Sequence, residues 1–277
     1  MSTKPPIPRA ILSFRGAVLA HFKKHGRSFP WRETRDPYAI LVSEVMLQQT
    51  QVERVVPKYE AFLARFPTVH SLATSRQSEV VRAWQGLGYN RRALALRRAA
   101  EHIVARHGGA VPSTETELLV LPGVGTYTAR AVLAFAFDRP TICIETNIRA
   151  AFIHHFFPRR GSVRDRELEP LIRAALGRQS PRAWYQALMD YGAALKASHP
   201  NPSRRSAHYT RQSPFSGSLR RLRGLVLREL SGRETPTTPA LLARRLGETT
   251  PSLLRALRSL DRDGFVREEK NGRFLLA

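Results

Sequence analysis

A five-residue turn near the middle of the chain, Leu121-Pro122-Gly123-Val124-Gly125, separates two amphipathic segments and restricts the fold more than any other feature. Pro122 cannot continue the segment before it, and the two glycines permit positive φ and leave no Cβ in the way of another backbone. Amides of such a turn, followed by a helix N-terminus, make a phosphate site without a charged side chain. The segment therefore predicts a phosphate-binding hairpin between two helices, although a Pro-Gly turn is often only a turn. The predicted contact residues are Leu121, Gly123, Val124, Gly125 and Thr126.

The first two hundred residues are predicted to be helical, because apolar positions recur at spacings of three and four, as in 40–46. Thr114 with Glu117, and Thr50 with Glu53, have the spacing of a capping box, which predicts a helix start at both places.

The charge balance is strongly basic, with 45 Lys and Arg against 22 Asp and Glu, a formal net charge of +23. This favours a polyanionic partner, because each neutralised phosphate releases counterions. The Arg-rich coding of a GC-rich genome is the alternative, but that bias exchanges Lys for Arg and does not remove acids. No stretch has the pattern of a signal peptide or membrane span, so we expect a soluble, cytoplasmic protein, nucleoid-associated in a prokaryote.

The single cysteine, Cys143, excludes an internal disulfide and an all-thiolate metal cluster. Its apolar neighbours predict a small buried hydrophobic side chain.

The composition changes near residue 199, where a polar, basic, proline-bearing stretch predicts a linker over 199–215. Residues 216–277 then show three helical segments, at about 219–230, 239–246 and 250–260, and two short strands around Asn271-Gly272. This order resembles a winged helix-turn-helix domain, with Arg255, Arg258 and Arg262 on its recognition helix. Such modules also dock proteins, and arginines at helical spacing usually form a solvated face.

Several segments together resemble one family. Residues 114–137 look like the helix-hairpin-helix of the HhH-GPD DNA glycosylase superfamily. Gly26–Arg32 and Ser43–Val52 closely resemble the adenine DNA glycosylases that act at A/G mismatches (the MutY-like branch), and 86–89 and 187–193 also match. The resemblance implies an all-α, two-lobed glycosylase fold over 1–198, with the extruded base bound in a cleft between the lobes, followed here by the small winged helix-turn-helix domain.

The resemblance assigns Glu44 as the general acid that protonates the departing adenine. Protonating the base makes it a leaving group, which requires a carboxyl group with a raised pKa, and apolar neighbours are able to desolvate it. A solvated surface glutamate is the alternative. At Glu145 the family has an Asp that stabilises positive charge on the sugar, and Glu reaches one methylene further. Glu145 is predicted to be catalytic, or to mark a different substrate.

Tyr127 occupies the position where relatives with lyase activity have an attacking lysine. A phenol forms no Schiff base, so the resemblance implies a monofunctional enzyme that leaves an abasic site. By the same resemblance Gln48 and Gln49 fill the gap left by the flipped base, Tyr89 stacks near the mismatch, and a base pocket includes the residues Trp31 and Arg32. For Tyr89, a loop aromatic folded onto the core is the alternative.

The chain departs from the family in two places. Four cysteines that hold an iron–sulfur cluster are replaced by Lys196, Ser203, Ser206 and Gln212, so no cofactor is expected. The last sixty or so residues show no Nudix-like pattern of the kind that checks for 8-oxoguanine, which leaves the opposite base open.

The sequence thus predicts a monomeric base-excision glycosylase acting on mismatched or damaged duplex DNA, most readily at adenine opposite G or 8-oxoguanine. A T/G or U/G mismatch glycosylase and a non-catalytic DNA-binding protein are the alternatives.

Overall fold

The computed structural model describes residues 8–211 and 217–277. Within them the protein is helical, apart from one hairpin of two strands. The helices of the first part are α1 (Arg9–His25), α2 (Pro30–Glu33), α3 (Pro37–Leu47), α4 (Val52–Arg65), α5 (Val69–Ala73), α6 (Gln77–Ala83), α7 (Arg91–His107), α8 (Glu115–Val120), α9 (Thr126–Phe137), α10 (Thr146–Phe156), α11 (Asp165–Leu176) and α12 (Pro181–Ser198). The later elements are a 3₁₀ turn (Pro202–Arg205), α13 (Leu219–Ser231), α14 (Pro239–Leu246), α15 (Thr250–Arg262), β1 (Val266–Glu269) and β2 (Arg273–Leu276). None of the described helices has the length and apolar character needed to cross a bilayer.

The chain forms two compact units. Unit 1 comprises Met1–Leu41, Ser113–Leu119 and Val124–Arg211, and unit 2 comprises Val42–Pro112, Val120–Gly123 and Gln212–Ala277. The predicted all-helical glycosylase part with a small C-terminal module is confirmed at the level of fold. The boundaries proposed at 198 and 215 remain a prediction, and 212–216 lie outside the described residues.

The helix-hairpin-helix segment forms as predicted. Thr114 caps α8, since its Oγ1 accepts from the Glu117 amide at 3.3 Å and donates to the Glu117 carboxylate at 2.5 Å. Arg130 of α9 donates to Glu115 of α8 at 2.7 Å, which ties the two helices together. A side-chain cap and an ion pair thus hold both helices around the turn.

Only one of the two glycines in the turn adopts a positive φ and has no room for a Cβ atom. Gly123 has φ of +79°, and a Cβ there would lie 2.7 Å from the Cβ of Ala95 on α7. Gly125 has φ of −94°, so it does not use the positive angle that glycine permits. It serves instead as the N-cap of α9, where glycine is well tolerated.

The capping box predicted at Thr50 and Glu53 was also wrong, because α4 starts at Val52 after Gln51. The Thr50 hydroxyl instead donates to the Leu87 carbonyl at 3.2 Å and accepts from Arg92 at 2.9 Å. A tertiary partner therefore replaced the local one.

The C-terminal elements match the predicted three helices and hairpin. Val266 pairs with Leu276 and Glu269 with Arg273 across antiparallel strands, and the turn places Asn271 and Gly272 at positive φ of 87° and 66°. Their apolar side chains form one buried cluster with Val81 of α6 and Leu94 of α7. Within unit 2, the module therefore shares a hydrophobic core with α6 and α7.

The stretch after α12 is held by hydrogen bonds. Val163 pairs with it in a parallel bridge, accepting from Ala207 and donating to the Arg205 carbonyl, both at 2.9 Å. The Arg205 guanidinium donates to the carbonyls of Phe157 at 2.6 Å and Pro158 at 2.8 Å. Residues 199–211 of the predicted linker are therefore folded onto unit 1.

The residues at the cluster positions do not fit an iron–sulfur cluster, which needs four thiolates. The Lys196 amine donates to Asn147 at 2.9 Å, and the buried Ser203 hydroxyl donates to Asn201 at 2.7 Å. The Ser206 hydroxyl accepts from the His208 amide at 3.1 Å. Gln212 lies outside the described residues.

We expect Arg205→Ala to lower the free energy of unfolding by roughly 2 kcal/mol, because hydrogen bonds from a charged donor to carbonyls are lost. Arg204→Ala, the exposed neighbour, removes the same charge and is the control. Urea denaturation of both variants checks this, and equal loss in both would contradict the role of Arg205.

Candidate active site and DNA interface

Glu44 lies on α3, a helix that is buried almost all round. Asp36 starts this helix by accepting from the Tyr38 and Ala39 amides at 3.1 and 3.2 Å. The Glu44 side chain is only 5% exposed, next to Ser43 at 1%. A solvated surface glutamate is therefore excluded, and a buried carboxyl on an apolar helix is the kind of group that functional sites contain.

Glu145 is the N-cap of α10, and its carboxylate folds back onto the first turn. Oε1 accepts from the amides of Asn147 at 2.7 Å and Ile148 at 2.8 Å, while Oε2 accepts from the Asn147 side chain at 3.2 Å. These contacts satisfy amides that no helical carbonyl reaches. The longer glutamate side chain thus performs the capping that aspartate usually provides.

The surroundings of Glu145 act on its pKa in two directions. Burial raises the pKa above its ordinary value, and the amides of Asn147 and Ile148, with the charges of Lys196 and Arg149, oppose this. Part of the residue's surface remains accessible. The raised pKa therefore reflects the dense packing around the carboxylate rather than complete enclosure.

The Asn147 backbone is itself held by close packing from α12. A Cβ on Gly192 would lie 2.0 Å from the Asn147 carbonyl oxygen, so only glycine allows the two helices to approach this closely. The amide that holds Glu145 is thus set by a long-range contact between α10 and α12.

Tyr127 is the second residue of α9 and is half-buried. In the turn before it, Leu121 and Val124 are 2% and 7% exposed, whereas Gly123, Gly125 and Thr126 are exposed. The buried pair therefore anchors the turn, and the exposed three present their backbone.

Arg92 is a residue that sequence reasoning missed, and it organises the predicted wedge. Its guanidinium donates to the carbonyls of Val45, Met46 and Gln48 at 2.8, 2.8 and 2.6 Å, and to the Gly88 carbonyl at 3.0 Å. Burial lowers the Arg92 pKa to about 10, with Tyr89 acting the other way. It remains charged at neutral pH and binds the end of α3 to the glycine turn before α7.

The predicted wedge and stacking residues lie at this junction. Gln49 and Tyr89 have φ of +57° and +46°, a region that costs about 1–3 kcal/mol and is typical of functional sites. The Gln48 side chain donates to the Gly123 carbonyl of the hairpin at 3.3 Å. Within unit 2, Gln48 thus links this junction to Gly123 of the hairpin.

Arg32, predicted to line a base pocket, lies on a buried carboxylate that was not predicted to bind it. Its Nη1 and Nη2 donate to Asp190 at 2.8 and 2.9 Å, and Arg27 adds two side-chain bonds and one amide. Burial opposes ionisation of Asp190, but the bonds from Arg32 and Arg27 outweigh it and hold the Asp190 pKa below its usual value. Trp31 is buried and stacks on Phe29 at 5.2 Å.

The arginines of the predicted recognition helix, Arg255, Arg258 and Arg262, are exposed on α15. They line a groove of about 810 Å³ that also contains Asp261. Cys143, in contrast, is fully buried as predicted.

The helix-hairpin-helix segment lies within the part of the chain that matches a known family of DNA repair proteins. The model of the HhH-GPD superfamily of base excision DNA repair proteins matches residues 42–173. Adenine DNA glycosylase of Mycobacterium tuberculosis is 34% identical over 285 aligned residues, which cover 94% of this chain and 92% of that protein. The chain belongs to the HhH-GPD superfamily and is a base excision repair DNA glycosylase.

Two solved structures support the same fold. A thermostable thymine-DNA glycosylase is 27% identical, with a TM-score of 0.60, covering 67% of this chain and 87% of that one. Endonuclease III in a non-covalent complex with DNA has a TM-score of 0.56 at 20% identity, covering 68% and 85%, and is similar in fold alone.

The alignment with the mycobacterial protein reaches the C-terminal module. About 6% of this chain is uncovered, roughly 17 of the 277 residues, which is fewer than the 61 of 217–277. The alignment with this adenine DNA glycosylase therefore extends over much of the C-terminal module.

We expect Asp190→Asn to destabilise the protein by about 3–5 kcal/mol, because breaking a buried pair leaves Arg32 without its counter-charge. The ionised form is the stabilising one, so the wild-type contribution is present above the ordinary pKa of 3.8 and is lost as pH falls below it. Thermal unfolding between pH 7 and pH 3 measures this. The exposed Glu169→Gln is the control, and equal stability of the two variants at pH 7 would contradict the role of Asp190.

Proposed function

We propose that the protein hydrolyses the N-glycosidic bond of adenine opposite G or 8-oxoguanine in duplex DNA and leaves an abasic site. The assignment of adenine as the substrate rests on the match to an adenine DNA glycosylase over 94% of this chain and 92% of that protein. The thymine-DNA glycosylase shares less of the chain at lower identity, so a T/G or U/G mismatch is the second candidate.

Glu44 is the general acid in this proposal. As the bond from C1′ to the base breaks, its electron pair goes to the base nitrogen and the Glu44 carboxyl supplies a proton to the base. The carboxylate then accepts a proton from the water that adds to C1′. The burial of Glu44 supports this role, because a desolvated carboxyl favours its neutral form.

Glu145 stabilises the positive charge that develops on the sugar and orients the water. Its geometry supports the role, because two amides hold Oε1 and leave Oε2 with the Asn147 side chain. Burial favours the neutral form of this carboxyl group, whereas the two amides and the charges of Lys196 and Arg149 favour the ionised form. A carboxylate fixed in this way is a preorganised charge that stabilises a cationic transition state. The extra methylene group of Glu145, relative to aspartate, is accommodated because its side chain bends back onto the first turn of α10.

The grip on DNA comes from the exposed backbone of Gly123, Gly125 and Thr126, with Leu121 and Val124 as its anchors. Gln48 and Gln49 fill the gap after base flipping, and Tyr89 stacks at the mismatch. Trp31 and Arg32 border the base, with Arg32 acting through its clamp on Asp190. Arg255 and Arg258 add a contact from the C-terminal module.

Incubation with duplexes containing A·8-oxoG, A·G, T·G, U·G and hypoxanthine pairs, followed by hot alkali, tests the proposal. We expect strand scission at adenine and no covalent adduct with borohydride, since Tyr127 forms no Schiff base. Scission at T·G or U·G alone would establish the second candidate, and a borohydride-trapped adduct would contradict the monofunctional mechanism. Glu44→Gln and Glu145→Ala should bind the duplex and lose excision.

We expect Gly192→Ala to lower the single-turnover excision rate by up to about 100-fold, the cost of displacing a catalytic group by 1 Å. The new methyl group would push on the Asn147 carbonyl and shift the amide that holds Glu145.

Gly16→Ala on α1 is the matched control, since its Cβ would meet no atom within 4 Å. It should leave the rate unchanged and stabilise the helix by about 0.5–1 kcal/mol. A Gly192→Ala variant with the wild-type rate would refute this positioning of Glu145.

A further inference from the structure

A groove in unit 2 joins the first helix of the C-terminal module to the predicted mismatch residues. It has a volume of about 880 Å³. One wall contains Gln48, Gln49 and Tyr89, and another wall is formed by α13. We call it the α13 groove. It is distinct from the groove along α15, with which it shares no lining residue.

All the charged residues that line the α13 groove, among the described residues, are basic. Among the described residues it contains six arginines and no Asp or Glu: Arg54, Arg91, Arg92, Arg220, Arg223 and Arg228. Asp263 pairs with Arg91 at 2.9 Å and Arg223 at 2.5 Å from outside the lining. The groove therefore suits a polyanion, and guanidinium groups bind phosphates and stack on bases.

One face of α13 is shaped for close approach. Arg220, Gly224 and Arg228 follow each other at four-residue spacing and all line the groove. They span a rise of about 12 Å along the helix. A Cβ on Gly224 would meet no atom within 4 Å, so the helix surface between the two arginines is open space.

Arg220 contacts the residue that the proposed function places at the mismatch. Its Nη1 donates to the Tyr89 hydroxyl at 3.0 Å, and its guanidinium carbon lies 5.5 Å from the centre of the Tyr89 ring. The ring centre also lies 5.4 Å from the guanidinium of Arg92. Two arginines, one on α7 and one on α13, thus hold Tyr89, whose backbone has a positive φ.

The position of α13 in unit 2 is set by several contacts. Its apolar face packs into the cluster with Val81 and Leu94. Arg82 of α6 donates to the carbonyl of Ser231 at 3.1 Å, and Gln77 donates to the carbonyl of Gly264. The α13 wall of the groove is therefore fixed in place by packing and hydrogen bonds within unit 2.

We propose that α13 binds the phosphate backbone of one DNA strand beside the mismatch. In this arrangement Gly224 and Arg228 receive the strand's backbone, and Arg220 is a positioning residue that holds Tyr89 at the mismatch. The proposal rests on the proposed function, because that function places Gln48, Gln49 and Tyr89 at the mismatch.

The test uses full-length Arg228→Gln, Gly224→Glu and Arg220→Gln, with Arg244→Gln as the control for charge. Arg244 is exposed on α14 and does not line the groove. The dissociation constant is measured against salt for an A·G duplex and for a fully paired duplex. Arg228→Gln should weaken both, and its salt slope should fall by about 0.9, the value for one lost phosphate contact.

Gly224→Glu should weaken binding further, because it puts a negative charge beside the strand. It replaces a helical glycine with a better helix former, so impaired folding is not the expected cause. Wild-type affinity and salt slope in both Arg228→Gln and Gly224→Glu would overturn the proposal. So would loss of affinity in Arg258→Gln alone, which would make α15 the contact.

Arg220→Gln should lower the ratio of single-turnover excision rates for adenine opposite 8-oxoguanine and for adenine opposite G. Arg220→Lys keeps a cationic donor for the Tyr89 hydroxyl and should restore the ratio. A merely structural role would lower both rates alike and leave the ratio unchanged, which would overturn the positioning of Tyr89.

The binding measurements need no excision, so they separate this proposal from the proposed function. If the wild-type protein excises no adenine but Arg228→Gln and Gly224→Glu still weaken binding, the function is refuted and the strand contact stands. If adenine is excised and both variants bind as Arg244→Gln does, the strand contact is refuted alone.

Discussion

The fold depends on arginine side chains that bind the backbone carbonyls at helix ends. The last carbonyls of a helix have no partner within it, and burying them without one is costly. Arg92 binds those of α3, Arg15 those of α11 at 2.5 and 2.6 Å, and Arg205 the carbonyls after α10. Arg182 binds the Phe135 carbonyl near the end of α9 and the Arg32 and Thr34 carbonyls after α2. A share of the positive charge is therefore structural, and the net charge alone overstates the part available to DNA.

The same principle reaches the functional residues. Arg92 joins the end of the helix that carries Glu44 to the turn that carries Tyr89, and burial at that junction lowers its pKa without discharging it. At Glu145 the direction is reversed, since a carboxylate binds the amides at a helix start. Arg92 and Glu145 thus each bind a helix end, where backbone groups offer hydrogen bonds in a fixed direction.

The family's iron–sulfur cluster and the stretch after α12 show how one constraint replaces another. Thiolate ligation would tie this stretch together through a metal, whereas here Val163 and Arg205 tie it through hydrogen bonds. Lys196, at one of the cysteine positions, donates to Asn147, and its charge opposes the rise in the Glu145 pKa that burial causes. A residue that replaces one of the expected cluster cysteines thereby contributes to the electrostatics of the capping carboxylate.

Local patterns determined what the sequence by itself specified: the helical class, the capped hairpin at Thr114, and the C-terminal helices with their Asn271-Gly272 turn. These features depend on residues that are close together in the chain, so they can be predicted from the sequence alone. Only the tertiary structure decided that Thr50 binds Leu87 and Arg92, that Arg32 lies on Asp190, and that Arg220 meets Tyr89 from 131 residues away. A guanidinium has several donors on a long flexible stem, and which carbonyl, carboxylate or ring it reaches depends on packing between distant helices.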